Sequence, residues 1–266
     1  MSKTESFNPK DFTARLTTRY IGQNVIYRPE LDSTNRLASE LPAAETPNGT
    51  LVITDNQYAG KGQHRRGWST AKNANLTFTL FIKPNRADGV HLLTQIAAYS
   101  LITYLSNHLD NNLKIKWPND VLASRKKFCG ILTETSYSGN NLSRVLIGVG
   151  INVNQTEFPG EYRHPATSLR LLQNGNPWQR EELLAGFLSH FEPNITAWEH
   201  YSNDQLKAVN NSLIGYGKWV RLNIDGKEPA GKRKILGVDK IGKLQALTEE
   251  HELESYEYEQ IRIITD

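Results

Sequence analysis

The stretch Asp55-Asn-Gln-Tyr-Ala-Gly-Lys-Gly-Gln-His-Arg-Arg-Gly-Trp68, called the glycine-rich segment below, places glycines and positive charges side by side. Glycine lets a backbone pass close to a ligand, and neighbouring cationic side chains favour an anion there. The residues concerned are Gly60, Gly62, Gly67, Lys61, Arg65 and Arg66. Trp68 adds a flat ring that can stack on a base or pack into a core. Taken alone, the segment fits a phosphate-binding loop, a nucleic-acid contact or a mobile linker.

The sequence on either side of this segment predicts strands that hold it at both ends. Residues 50–54 are rich in β-branched side chains, and residues 75–83 alternate with Thr, Phe and Leu. Farther along, apolar residues recur every three or four positions over residues 90–109, which predicts a helix. The segment is therefore expected to be a strand-to-strand connection within a larger domain.

Composition argues against several classes of protein. The chain has 266 residues, of which 22% are charged, and a net charge of +3. So small a charge does not make nucleic acid or an anionic membrane the principal partner. Residues 1–10 show no secretory signal, and no stretch approaches the length of a membrane span. The single cysteine, Cys129, excludes an intrachain disulfide and a cysteine-based zinc site, which predicts a cytoplasmic protein.

The predicted fold class is α+β. Residues 24–154 are predicted to form a mostly antiparallel sheet with helices on one side. Further helices are predicted over residues 9–20, 36–41 and 180–201, with Ser33 or Thr34 capping the second. From residue 213 onward, short β-rich pieces separated by Gly and Asp predict a small five-strand barrel of SH3 type. The predicted domains are residues 1–208 and 209–266.

The segment Lys116-Trp-Pro-Asn-Asp120 is the most distinctive pentapeptide of the chain. Pro118 rigidifies a turn, and Asn119 can donate and accept hydrogen bonds at the same time. Asp120 can hold a hard cation such as Mg²⁺ while Lys116 faces phosphate oxygens. Taken alone, a strand end with a capped turn is the simpler explanation. A glycine-rich basic segment in the same chain favours the binding interpretation.

The segment Lys127-Phe-Cys-Gly-Ile-Leu-Thr-Glu134 has a lysine at the start of a predicted strand and a glycine three residues later. A lysine in a pocket stabilises charge that develops when a carboxylate and a phosphate react. Most lysines, however, are simply solvated. Cys129 is predicted to lie in the core rather than to act as a nucleophile, because no histidine lies near it in sequence.

These three segments, together with Ser33-Thr-Asn35 before them and Gly148-Val-Gly-Ile-Asn-Val-Asn154 after them, resemble the biotin protein ligase family in order and spacing. The resemblance covers about residues 24–154, and the predicted C-terminal barrel also fits it. It implies a catalytic domain of the class II aminoacyl-tRNA synthetase and biotin synthetase type. The implied reaction activates biotin with ATP and Mg²⁺ to biotinyl-5'-AMP and transfers biotin to a lysine of a biotin carboxyl carrier protein or domain.

The resemblance also implies which residues bind biotin: Ser33, Thr34, Asn35, Gln57, Gly60, Lys61, Gly62, Gln63, Lys127 and Gly130. The first three would line the pocket of the ureido ring, with Gln57 across from them. Residues 60–63 would cover the biotin carboxylate and the α-phosphate. Lys127 resembles the central lysine of the family and is implied to be catalytic together with Lys61, while Gly130 would leave room for the biotin tail.

The residues implied to bind ATP or the adenylate are Lys61, Arg65, Arg66, Trp68, Lys116, Asn119 and Asn152. Trp68 would stack on adenine, Asn152 would approach the ribose, and Asp120 would hold Mg²⁺. The glycine-rich segment is expected to be mobile without ligand and ordered with it, because it must keep water from a reactive intermediate.

The chain departs from the family in the basic part of this segment. Where the family often has Gly-Arg-Gly-Arg-Arg-Gly, Lys61 and Gln63 replace the first two arginines and Arg65 stands in place of a glycine. Lysine lacks the bidentate fork of arginine, so Arg65 or Arg66 is expected to compensate. The division of the phosphate contacts stays open. Cys129 stands where a smaller residue is common, which affects local packing.

Three other functions compete with this interpretation. A lipoate-protein ligase shares the fold and the adenylate chemistry but usually lacks the pentapeptide and the glycine-rich segment. A DNA-binding repressor is disfavoured, because only about two dozen residues precede the predicted core, too few for a winged helix. A carrier-binding module without activity is the third. The sequence leaves the acceptor carboxylase, the role of the barrel and homodimerisation open, and it predicts no DNA or membrane partner.

Overall fold

The structure is a computed structural model that describes residues 5–60, 62, 67–68, 70–110, 112–159, 165–224, 226–257 and 261–264. The helices in these ranges are α1 (Pro9–Arg15), α2 (Thr34–Glu40), α3 (Leu92–Leu105), α4 (Leu169–Leu172), α5 (Arg180–Glu199) and α6 (Asn203–Asn211). The strands are β1 (Val25–Leu31), β2 (Thr50–Gln57), β3 (Leu76–Ile82), β4 (Leu113–Lys116), β5 (Asp120–Ala123), β6 (Lys126–Ser138), β7 (Asn141–Ile151), β8 (Trp219–Ile224), β9 (Arg233–Val238), β10 (Leu244–Leu247), β11 (Leu253–Tyr256) and β12 (Ile261–Ile264). None of the helices described is long and apolar enough to cross a lipid bilayer.

The first seven strands form one sheet in the order β1-β2-β3-β7-β6-β5-β4. β1 runs parallel to β2, and the other neighbouring pairs are antiparallel. β-Branched and aromatic side chains dominate its central strands, and such side chains pack well on a pleated surface. The mixed, mostly antiparallel sheet predicted for residues 24–154 is therefore confirmed.

Helices cover both faces of this sheet. Leu51 and Ile147 belong to the large core that α1, α3 and α5 share. Val52 and Leu146, their neighbours in sequence, pack on the opposite face with Ala38 of α2. The prediction of helices on one side is wrong for α2. Because β2, β3 and β7 carry apolar side chains on both faces, each face needs its own helical cover.

α1 ends at Arg15, whereas the sequence predicted a helix as far as residue 20. The Glu192 carboxylate of α5 accepts hydrogen bonds from the main-chain N–H groups of Arg19, Tyr20 and Ile21 at 2.7, 3.0 and 2.9 Å. In a longer helix these N–H groups would bond to carbonyls four residues earlier. The distant carboxylate satisfies them instead, so the chain leaves the helix early.

A buried ion pair joins β2 to the start of α5. Asp55 and Arg180 are 4% and 5% exposed, and Arg180 Nη1 lies 2.7 Å from Asp55 Oδ1. The carboxylate also accepts from the Tyr27 hydroxyl at 2.6 Å and from the Phe7 N–H at 3.1 Å. Arg180 donates to the main-chain oxygen of Asn75 at 3.1 Å. The pair thus ties together the two strands between which the glycine-rich segment runs.

The last five strands form a second, antiparallel sheet in the order β11-β10-β9-β8-β12. Four of them coincide with predicted β-rich pieces, and β11, with the sequence Leu-Glu-Ser-Tyr, was not predicted. The predicted boundary near residue 208 falls within α6. Asn210 of α6 exchanges two hydrogen bonds with the main chain of Val238 in β9, at 2.7 and 3.1 Å. This helix therefore connects the second sheet to the rest of the molecule.

Candidate active site

Three glycines form a floor without side chains on the face of the first sheet that α2 covers. Gly130 of β6 is paired in register with Gly150 of β7, and Gly148 lies on the same face two residues earlier. A Cβ at Gly150 would come within 2.3–2.5 Å of the Trp68 indole, and a Cβ at Gly148 would lie 2.3 Å from Asn35 Oδ1. The groups that pack directly on the backbone leave no room for side chains on this glycine floor.

The N-terminus of α2 borders one end of the glycine floor. Ser33 caps the helix by accepting a main-chain N–H of its first turn at 3.4 Å, which confirms the predicted cap. Thr34 donates its N–H to Gln57 Oε1 at 2.8 Å. Asn35 Nδ2 donates to Glu134 Oε2 at 2.6 Å. The structure therefore brings together the four residues that the sequence assigned to a ureido pocket.

Thr79 of β3 completes this pocket, although sequence analysis did not single it out. Its buried hydroxyl lies 2.5 Å from Asn35 Oδ1 and 2.8 Å from Thr34 Oγ1. In register it is opposite Gly148, so it reaches the glycine floor. The only sequence signal was its alternation along β3, and threonine is common in strands.

The glycine-rich segment begins as a strand. β2 continues to Gln57, because its parallel pairing with β1 extends to that residue, three positions beyond the predicted end. Trp68 N donates to Gly60 O at 2.9 Å, and a Cβ at Gly60 would lie 2.5 Å from the main-chain oxygen of Trp68. Glycine is therefore required at residue 60, where the two described ends of the segment meet.

Several of the predicted ligand contacts fall on residues outside the described ranges, namely Lys61, Gln63, Arg65 and Arg66. Their contacts with biotin and phosphate stay predictions, as does the ordering of the segment by ligand. Gly62 is described and is partly buried.

Lys127 and Asp120 meet at the other end of the glycine floor. Lys127 Nζ lies 2.5 Å from Asp120 Oδ1, and the two side chains are 27% and 16% exposed. The same ammonium lies 5.5 Å from the centre of the Trp68 ring and 3.2 Å from the place a Cβ would take at Gly130. The predicted catalytic lysine, magnesium ligand and adenine-stacking ring thus lie together, and the carboxylate is paired with the lysine.

The pentapeptide of residues 116–120 forms the turn between β4 and β5. Asn119 is fixed against β6, because its Nδ2 donates to Ile131 O at 3.1 Å and its own main-chain oxygen accepts from Ile131 N at 2.9 Å. Lys116 is 4% exposed and pairs in register with Asp120. The turn is therefore held next to Asp120, the ion-pair partner of Lys127. The ATP contacts of Lys116 and Asn119 stay predictions.

Asn152 follows β7 directly and is buried. Its Nδ2 donates to Thr167 O at 3.1 Å, and its N–H donates to Phe128 O at 2.7 Å. Thr167 N in turn donates to Lys127 O at 2.9 Å. Asn152 thus fastens the chain around residues 165–169 to the strand that carries Lys127, and its contact with a ribose stays a prediction.

The one cysteine plays no part in this chemistry. Cys129 is fully buried, and burial raises the pKa of its thiol well above the usual value. The thiol therefore stays protonated, and its predicted place in the core is confirmed. In the part of the chain that the structure describes, no three His, Cys, Asp or Glu side chains cluster in a way that could hold a metal ion.

Residues 27–152 match the model of the Biotin/lipoate A/B protein ligase family. The chain is 32% identical over 247 residues to the bifunctional ligase/repressor BirA of Bacillus subtilis, which covers 84% of this chain and 75% of that protein. It is 31% identical over 185 residues to the biotin–acetyl-CoA-carboxylase ligase of Mycobacterium tuberculosis, which covers 67% of this chain and 66% of that protein.

A solved structure has the same architecture. The biotin protein ligase of Aquifex aeolicus in complex with biotin and ATP matches with a TM-score of 0.77 at 27% identity, over 91% of this chain and 100% of that chain. Fold and motifs thus point to one class, the ligases that attach biotin or lipoate to a protein. The chain belongs to the biotin/lipoate A/B protein ligase family, which confirms the resemblance found in the sequence.

Proposed function

We propose that this chain is an ATP-dependent ligase that activates biotin to biotinyl-5'-AMP and transfers biotin to a lysine of a biotin carboxyl carrier protein or domain. The observation that carries the proposal is the glycine floor, which runs from the polar pocket at Thr34 and Asn35 to Lys127. An elongated ligand with a polar ring at one end and a carboxylate at the other would meet the polar pocket at one end of this floor and the lysine at the other. The solved relative with biotin and ATP supports the same assignment.

In the first half-reaction, a carboxylate oxygen of biotin attacks the α-phosphorus of ATP. A carboxyl–phosphate anhydride bond forms, the bond between the α- and β-phosphates breaks, and pyrophosphate leaves with its electron pair. Because both reactants are anions, the main requirement is positive charge at the reacting atoms. We assign this role to the Lys127 ammonium and, on the sequence resemblance, to Lys61.

In the second half-reaction, the amine of the acceptor lysine attacks the carbonyl carbon of the anhydride. An amide bond forms, AMP leaves, and the amine loses a proton to solvent. Trp68 is assigned to the adenine ring, which would require it to exchange its contact with the glycine floor for one with the base. Arg65, Arg66, Lys116, Asn119 and Asn152 are assigned to the nucleotide on the sequence resemblance.

Magnesium would enter with the phosphates of ATP. Mg²⁺ is usually held by one or two carboxylates together with substrate phosphates, so a lone carboxylate is a sufficient donor set. Asp120 supplies that carboxylate, provided that Lys127 turns from it toward the anionic substrates. When bound, the ion offsets phosphate charge.

We also propose the domain organisation and the setting of this enzyme. Residues 1–208 would form the catalytic domain, and residues 209–266 a C-terminal domain whose five strands close as an SH3-like barrel. β1 lies at the outer edge of the first sheet, where its main-chain groups could pair with a second copy in a homodimer. A single, buried and reduced cysteine supports a cytoplasmic location.

The proposal is tested by incubating the chain with ATP, Mg²⁺, biotin and a carboxyl carrier domain and measuring pyrophosphate release and the intact mass of the carrier. Lys127→Ala is expected to slow adenylate formation by roughly a hundredfold or more. Lys126→Ala is the matched control, because this exposed lysine is the neighbour on the same strand.

The outcomes separate the rival functions. A wild-type protein that adds lipoate but not biotin to its carrier would make the chain a lipoate-protein ligase. A folded protein that binds the carrier without releasing pyrophosphate would make it a binding module. If Lys127→Ala turned over as fast as Lys126→Ala, the catalytic role of Lys127 would be wrong.

A further inference from the structure

We propose that Glu134 is a positioning residue that sets the direction of the hydrogen bonds in the pocket at the N-terminus of α2. The inference rests on the proposed function, because it concerns how this pocket recognises the cyclic urea of biotin. Glu134 lies on β6, seven residues after Lys127, and is exposed.

The series of hydrogen bonds starts at the Glu134 carboxylate. Asn35 Nδ2 lies 2.6 Å from Glu134 Oε2. An ionised carboxylate can only accept, so the amide nitrogen of Asn35 must face β6 and its Oδ1 must face into the pocket. Without this partner, the two ends of the Asn35 amide have nearly the same shape and could exchange places.

The direction is passed on through two buried hydroxyls. Asn35 Oδ1 can only accept, so Thr79 gives its single proton to that oxygen across 2.5 Å. With the Thr79 proton committed to Asn35, the Thr34 hydroxyl, which lies 2.8 Å from Thr79 Oγ1 and 3.3 Å from Gln57 Oε1, is left to donate to one of these two oxygens. Because Thr79 and Thr34 are 0% and 3% exposed, water cannot replace the hydrogen bonds that would be lost if their directions were reversed.

Gln57 lies at the other end of this series of hydrogen bonds. Its Oε1 accepts the Thr34 N–H at 2.8 Å, so its Nε2 is directed toward Gly60. The pocket therefore presents a fixed acceptor, Asn35 Oδ1, and a fixed donor, Gln57 Nε2. A cyclic urea has N–H donors and a carbonyl acceptor in one plane, so it is complementary to this arrangement and not to its reverse.

The absence of a side chain at Gly148 lets the Asn35 amide lie directly against β7. A Cβ there would lie 2.3 Å from Asn35 Oδ1 and would displace the amide. Glu134 itself stands outside this contact and acts through Asn35. Its loss should therefore change ligand affinity without opening a cavity in the core.

The test measures the dissociation constant of biotin by calorimetry without ATP, together with the melting temperature. Glu134→Ala is expected to weaken biotin binding roughly tenfold, since it removes a hydrogen bond to a charged group, and to leave the melting temperature and the KM for ATP unchanged. Glu134→Gln keeps an acceptor for the Asn35 amide and should recover most of the affinity.

A double variant tests the direction itself. Asn35→Asp places two acceptors face to face and should weaken binding more than Glu134→Ala. Adding Glu134→Gln to Asn35→Asp supplies an amide that donates to the new carboxylate, which restores a hydrogen bond between the two positions. The double variant should therefore bind biotin more tightly than Asn35→Asp alone. Glu30→Ala is the matched control, because Glu30 is also exposed and accepts from an asparagine amide, Asn56 Nδ2, at 2.7 Å.

Unchanged affinity in Glu134→Ala, or no recovery in the double variant, would overturn the inference. An affinity loss of the same size in Glu30→Ala would also overturn it, because the effect would then be a general one of surface carboxylates. A folded wild-type protein that does not bind biotin at all would overturn the proposed function, and this inference with it.

Discussion

At the scale of single residues, the glycine positions of the glycine floor are the most sensitive to an added side chain. At Gly150 a Cβ would meet three atoms of the Trp68 indole at 2.3–2.5 Å. Trp68 is only partly buried, so the ring would move rather than the strand. A methyl group at this position therefore acts on the ring assigned to adenine, while the sheet beneath it keeps its hydrogen bonds.

We expect Gly150→Ala to lower kcat/KM for pyrophosphate release by roughly a hundredfold, because displaced reactants lose most of the benefit of orientation. The melting temperature should change by no more than about 2 °C, since alanine is tolerated in a strand. Asn141→Ala, at the exposed start of β7, is the control and should leave both quantities unchanged. Full activity in Gly150→Ala would show that the position of Trp68 over the glycine floor is irrelevant to the reaction.

At the scale of elements, the pair of Asp55 and Arg180 fixes β2 against α5. Both side chains are almost fully buried, and the carboxylate accepts from Arg180, Tyr27 and Phe7. A buried charge that loses its partner costs more than the pair itself contributes. The effect of a substitution here should therefore depend strongly on which partner is left behind.

Asp55→Ala should lower the free energy of unfolding by about 3 kcal/mol, because it leaves the Arg180 guanidinium buried without its carboxylate. Urea denaturation measures the change. Combining it with Arg180→Met should cost less than the sum of the two single changes, since the two residues share one interaction. Asp204→Ala removes the exposed pair with Lys207 and serves as the control, with an expected loss below about 0.5 kcal/mol. Equal losses for the buried and the exposed pair would contradict this account.

At the scale of the whole molecule, burial raises the pKa of several of the tyrosines that the structure describes, and Tyr104 is one of them. Burial is the main cause that raises the pKa of Tyr20, Tyr27 and Tyr256 from 10.0 to about 12. A hydrogen bond to Asp55 adds to the shift at Tyr27, and one to Glu254 adds to it at Tyr256. The fold thus favours the neutral phenols. Their contribution to stability is complete below pH 10 and is lost as pH rises from 10 to 12.

We therefore expect the free energy of unfolding to fall steadily between pH 10 and pH 12, in step with the appearance of tyrosinate in the ultraviolet spectrum. Tyr27→Phe removes one of the titrating groups, so it should make this fall less steep. Circular dichroism in urea at each pH measures the slope. A stability that stays constant over this window would mean that the three phenols are as easily ionised in the folded protein as in the unfolded chain.

The sequence by itself determined the family, the α+β class, the order of the motifs and most of the strands and helices, because each of these depends on local periodicity or on short motifs. It also placed the cap of α2 at Ser33 or Thr34 and Cys129 in the core. The tertiary structure decided what covers each face of the sheet, where α1 ends and which residues of the pocket are hydrogen-bonded to each other. Asn35 and Glu134 are 99 positions apart, and Asp55 and Arg180 are 125 positions apart. Such pairs depend on how the strands and helices pack in space, and no local sequence pattern predicts a contact between residues so far apart in the chain.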